Sequence, residues 1–147
     1  MLLKPFPELD SIDLTLEGGD LEAALKQLFD SLRSHEAMRD PVRAWADLLT
    51  RQAAGSVALD GEVALPHART SGVDRILVAA GRHPTGVSFD QKNLQVRLIF
   101  LVLTPKERPA EYLQVLASLA SRLRLPDVRR LLLATTSPVE FAALLKL

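Results

Sequence analysis

The chain has 147 residues, of which 48% are hydrophobic and 24% charged, enough apolar material for one ordinary domain with a real core. Its 18 lysines and arginines balance 18 aspartates and glutamates, so the formal net charge is +0, which argues against a general nucleic-acid binder. The lack of cysteine excludes disulfides, thiolate catalysis and cysteine metal sites. No apolar run approaches the roughly 20 residues that span a bilayer. The N-terminal stretch MLLKPFPELDSIDL carries early acidic residues and lacks the apolar core of a signal peptide. The expectation is a cytoplasmic protein formed by a single domain over residues 1–147, without nucleic-acid binding or direct membrane insertion.

In chain order, Ile12, Leu14 and Leu16 alternate with Asp13 and Thr15 and predict a half-buried strand, broken at Gly18-Gly19. Asp20 is an N-cap for a helix to about Arg33, with Leu21, Ala24, Leu25, Leu28, Phe29 and Leu32 as its apolar stripe. Asp40-Pro41 starts a second helix, directing Val42, Trp45, Leu48 and Leu49 inward and stopping near Gly55. Short strands are predicted at Glu62–Leu65 and, as a continuous apolar run, at Arg75–Ala80. Gly81 to Gly86 reads as a turn, and Val96–Leu103 as the strongest strand, ended by Thr104-Pro105. Helices are predicted from Pro109 to about Arg124, from Pro126 to Thr135, and from Ser137-Pro138 through Leu145. Strands interleaved with helices give an α/β layered fold. The strands at 62–65 and 75–80 are too close for a helical crossover, so the sheet is expected to be mixed, parallel and antiparallel.

The segment Gly61-Glu-Val-Ala-Leu-Pro-His-Ala-Arg69 concentrates the chemistry. Pro66 fixes its own φ and pushes Leu65 toward an extended conformation, which predicts that the strand ends there and holds His67 at the sheet rim. Ligands in open α/β sheets bind at that rim. A histidine that carries a phosphoryl group needs one free ring nitrogen, a fixed acceptor for the proton on the other, and donors for the phosphoryl oxygens. His67 is the candidate nucleophile. Arg69, Thr70, Ser71, Arg51 and Thr104 are candidate donors, together with the amides of the helix starting near Pro109. The acceptor for the second ring nitrogen has no sequence signature.

These residues resemble the type-2 enzyme IIA domain of the bacterial phosphoenolpyruvate-dependent sugar phosphotransferase system, the fructose/mannitol/nitrogen class. The resemblance rests on Arg51-Gln-Ala-Ala-Gly55-Ser56, on Val63-Ala-Leu-Pro-His67-Ala-Arg69, on Gly86-Val-Ser-Phe89 before the strand Val96–Leu103, and on Leu113-Gln-Val-Leu116-Ala-Ser-Leu119 after Pro105. It runs from about Ile12 to Leu145. It implies a mixed sheet of about five strands with helices on both faces. It also implies a phosphoryl group received on His67 from the phosphocarrier protein HPr or its nitrogen-branch relative. A IIB domain or a regulatory target protein would follow as partner, and no cofactor. Many members carry a second histidine where this chain has Tyr112. A phenol, with a pKa near ~10, is poorly suited to proton exchange or charge neutralisation at neutral pH. That departure favours, as the alternative, a non-catalytic regulatory interaction module of the same fold.

Other residues carry duller readings. His83, in Gly-Arg-His-Pro-Thr-Gly, reads as a solvated turn residue, with a second reading that places Arg82 and His83 near the site. His35 reads as a cation near a helix C-terminus. The three histidines make no metal-ligand spacing. Arg51 either meets a phosphate or pairs with a helix-end carbonyl or a carboxylate. Tyr112 either packs with Leu116, Leu119 and Leu123 or enters the site. Asp60 and Glu62 either orient the imidazole or repel its anion. Arg122, Arg124, Arg129 and Arg130 form a basic cluster, either a solvated face or a docking surface for an acidic partner.

Overall fold

The computed structural model describes residues 8–55, 58–59, 62–89, 94–107 and 109–146. Its strands are β1 (Ser11–Asp13), β2 (Ala58–Leu59), β3 (Val63–Ala64), β4 (His67–Arg69), β5 (Leu77–Phe89) and β6 (Leu94–Thr104). Its helices are α1 (Leu21–Asp30), α2 (Pro41–Ala53), α3 (Pro109–Leu123), α4 (Pro126–Ala134) and α5 (Pro138–Leu145). The helix starts follow from capping. Asp20 accepts from the Ala23 amide at 2.7 Å, Asp40 from Arg43 at 3.0 Å and Ser137 from Glu140 at 3.2 Å. α1 ends at Asp30, three residues before the expected limit.

The sheet runs β1-β5-β6-β3-β2, with β4 also on β6. β1 is parallel to β5, β3 and β4 are parallel to β6, and β5–β6 is an antiparallel hairpin. The mixed sheet with helices on both faces is as expected. The strands at 62–65 and 75–80 do run oppositely, but β6 lies between them. β3 and β4 keep one register on β6, Val63 opposite Leu98 and His67 opposite Val102. They form a single course interrupted at Leu65-Pro66. The strand therefore does not end at Pro66. Proline lacks a ladder donor, yet its carbonyl still accepts from the Val102 amide at 3.0 Å, and pairing resumes at His67.

Side chains alternate along β6 into two cores. Ile99, Leu101 and Leu103 face α1 and α2, with Leu28, Phe29, Ala44 and Leu48. Leu98, Phe100 and Val102 face α3, α4 and α5, with Leu119, Leu132 and Phe141. Val42 departs from expectation: it is exposed, because the buried face of α2 is set by Ala44 and Leu48, about 140° around the helix at 100° per residue. Trp45 is half-buried, and its ring packs tilted against Phe29 with centroids 5.2 Å apart.

Gly81 to Gly86 is not a turn but part of β5, which carries a register shift between Arg82 and Val87. The bulge explains a proline inside a long strand. Gly86 takes φ +85°, and its amide donates to His83 Nδ1 at 3.0 Å in place of a ladder carbonyl. His83 is buried, not solvated, and its Nε2 donates to the Gly18 carbonyl at 2.9 Å. The neighbouring Arg82 reaches the carbonyls of Leu132, Leu133 and Thr135 at the end of α4. Both residues brace the fold away from His67.

Candidate phosphohistidine cleft

His67 opens β4 and is half-buried, on the α3 side of the sheet. Its Nδ1 lies 2.7 Å from the Leu65 carbonyl oxygen. A carbonyl only accepts, so Nδ1 carries the proton and Nε2 keeps its lone pair. The interruption at Leu65-Pro66 produces this contact: Leu65 makes no strand pairing, and its carbonyl is free to meet the ring two residues on. That is the acceptor the sequence left unnamed. Arg51 Nη2 stands 3.5 Å from Nε2, while Arg51 Nη1 donates to the Gly55 carbonyl at 2.7 Å. Arg51 thus caps the end of α2, as one reading expected, and also faces the imidazole. Burial lowers the His67 pKa below 6.5, the Arg51 charge lowers it further, and the Leu65 hydrogen bond partly opposes them. The ring is thereby held in its nucleophilic form at neutral pH.

Tyr112, in the first turns of α3, has its ring centroid 5.7 Å from that of His67. It belongs to the core beneath α3, as one reading expected, and its ring also lines the cleft. Burial raises its pKa to about 12, against the lowering influence of Arg51 and Arg69, so the hydroxyl remains a donor at neutral pH. The open cleft has a volume of about 520 Å³, and its charged lining comprises Arg51, Arg69, Lys106 and Asp47. Arg69 Nη2 donates to the Lys106 carbonyl at 2.8 Å, which ties the end of β4 to the β6–α3 connection.

Thr104 does not line the cleft. It pairs with Arg69 at the ends of β6 and β4, is wholly buried, and its hydroxyl donates to the Pro105 carbonyl at 3.4 Å. Thr70 is also buried and accepts from the Gly72 amide at 3.0 Å. Glu62 lies 3.6 Å from Arg129, away from the imidazole. Asp60, like Ser56, falls outside the described residues. His35 follows α1 with Nε2 2.9 Å from Arg75 and 3.6 Å from Asp10. Two of the late arginines brace helices: Arg122 donates to Leu144 at 3.1 Å and Arg129 to Leu123 at 2.7 Å. Among the described residues no helix is long and apolar enough to cross a membrane.

Sequence reasoning missed Asp47, Thr50 and Lys106 in the cleft lining. Asp47 and Thr50 lie four and one residues before Arg51 on α2, and that spacing was the available signal.

The chain is 29% identical over 130 residues to the fructose-specific EIIA component of the phosphotransferase system of Haloferax volcanii, covering 88% of this chain and 84% of that protein. The crystal structure of nitrogen regulatory protein IIA-Ntr from Neisseria meningitidis matches with TM-score 0.83 and 31% identity, covering 91% of this chain and 92% of that one. The complex of enzyme IIA mannitol with phosphorylated enzyme IIB mannitol from Escherichia coli contains the same fold, with TM-score 0.79, 24% identity and coverage of 91% and 92%. The family model for the phosphoenolpyruvate-dependent sugar phosphotransferase system, EIIA 2, matches residues 6–147. With sugar-specific and nitrogen-regulatory proteins both among its relatives, the chain belongs to the EIIA 2 family.

Proposed function

We propose that this chain is a cytoplasmic, single-domain IIA-type protein that accepts a phosphoryl group on His67 Nε2 from HPr or its nitrogen-branch relative. The observation that carries the reading is the pair of contacts on one imidazole: Leu65 holds the proton on Nδ1 at 2.7 Å, and the Arg51 guanidinium faces Nε2 at 3.5 Å. The Nε2 lone pair attacks phosphorus as the donor's N–P bond breaks, and that bond's electron pair returns to the donor nitrogen. Arg51, Arg69, Lys106 and the Tyr112 hydroxyl are the groups available to the transferred oxygens. The phosphoryl group adds about −2 of charge at the cleft. It then passes to a IIB domain, or its charge alters binding to a regulatory target.

The second reading is a regulatory module of this fold without relay chemistry, and the phenol at Tyr112 favours it. Tyr112 donates a hydrogen bond but brings no positive charge to the phosphoryl group. Incubation with phosphoenolpyruvate, enzyme I and HPr separates the two. The proposal expects acid-labile label on His67, absent from His67→Ala. No label on the wild type, under conditions that label another family member, overturns it.

A further inference from the structure

Asp47 lies one turn before Arg51 on α2 and lines the same cleft as His67. Its Oδ2 is buried and has no hydrogen-bond partner among the described residues. A buried acceptor without a donor is normally avoided, the more so where cations stand close by. Arg51 is turned instead to Gly55 and His67, and Arg69 to the Lys106 carbonyl. The cleft thus holds a carboxylate that neutralises none of its guanidinium groups through a hydrogen bond.

We propose that Asp47 sets the poise of phosphoryl exchange by destabilising the phosphorylated state of His67. The inference rests on the acceptor role given to His67 above. A phosphoryl dianion on Nε2 shares the cleft with the Asp47 carboxylate, and like charges between protein walls repel more strongly than in bulk water. Arg51, Arg69 and Lys106 attract the dianion, and Asp47 offsets part of that attraction. The phosphorylated chain then remains a ready donor, or a quickly cleared signal, instead of a phosphate sink. The exchange replaces one N–P bond by another: the donor nitrogen regains its electron pair as Nε2 commits its own. Its equilibrium constant depends only on the four free proteins, so partner docking does not enter it.

The test brings the full chain and its Asp47→Asn, Asp47→Ser and Asp47→Glu variants to equilibrium with phosphorylated HPr, with ³¹P NMR reading the partition. Removal of the charge in Asp47→Asn or Asp47→Ser is expected to shift the constant toward the phosphorylated chain by roughly five- to tenfold. Asp47→Glu stays within about twofold of wild type, and the Asn effect shrinks between about 0.05 and 0.5 M salt. A structural role would not respond to salt. Wild type labelled, with both neutral variants within about twofold of it or with a salt-independent shift, overturns the role of Asp47 alone. Wild type without label overturns that role and the acceptor role of His67 together.

Discussion

The Leu65 carbonyl and His67 Nδ1 lie 2.7 Å apart across a proline that interrupts one course of the sheet. This local contact decides which ring nitrogen is free, and burial decides that it is unprotonated. An NMR titration of the His67 ring is expected to give a midpoint below 6.5. The linkage to stability has a definite sign. Between the folded and unfolded pKa values the unfolded chain binds more protons, so stability rises with pH there. The contribution of His67 is complete above about 6.5 and is lost as pH falls through its folded value. In His67→Gln this part of the pH dependence disappears from denaturant melts.

Arg51 makes two contacts that glutamine cannot reproduce, one to Gly55 and one toward Nε2. A hydrogen bond from a charged donor contributes about 1.5–3 kcal/mol. Arg51→Gln is therefore expected to slow phosphoryl transfer to His67 by roughly 10- to 100-fold. Rapid-quench labelling with phosphorylated HPr measures this, and a rate within about twofold of wild type would remove Arg51 from the site.

Tyr112 is the sole tyrosine of the chain, so absorbance near 295 nm titrates it directly. The folded protein is expected to show a midpoint near 12, and the unfolded chain one near 10. Tyr112→Phe keeps the packing and deletes a donor to a charged phosphoryl oxygen, with an expected fall of roughly 10- to 100-fold in transfer rate. Tyr112→His tests whether an imidazole at this position speeds transfer. A large gain in rate means that the tyrosine marks a lost relay function, and no gain means that its packing role dominates.

Gly72 controls how α2 sits against the end of β4. Its carbonyl accepts from the Arg39 and Asp40 amides, and an added Cβ would lie 2.5 Å from the Asp40 oxygen and 2.9 Å from the Ala44 nitrogen. Those obstacles are backbone, so α2 must move. Gly72→Ala is expected to destabilise by about 1–3 kcal/mol. Because α2 carries Arg51 and β4 carries His67, it should also reduce transfer more than a distant change of equal stability cost. Paired urea melts and labelling rates check both.

Much of this arrangement is local chemistry and was legible in the sequence. Asp20, Asp40-Pro41 and Ser137-Pro138 cap helices through contacts three residues away. The apolar runs before Pro105 and around Leu77 read as strands, and both lie buried in the sheet. Pro66-His67-Ala68-Arg69 placed the candidate nucleophile and one cation of the cleft. What escaped depends on non-local partners. Gly81 to Gly86 carries every mark of a turn, yet the hairpin with β6 keeps it extended, and His83 is buried because Gly18 offers a carbonyl from 65 residues away. Val42 fits a helical stripe whose true direction only the packing of Ala44 and Leu48 reveals. Asp47 stands one turn before Arg51, but only the packing of α2 beside the cleft shows that it lines the site.

The central claim is that Nε2 of His67 receives the phosphoryl group, and ¹⁵N–³¹P correlation on the phosphorylated, ring-labelled protein tests it most directly. The structure predicts phosphorus coupled to Nε2 of His67, with the proton retained on Nδ1. Phosphorus on Nδ1, or on any residue other than His67, would contradict it.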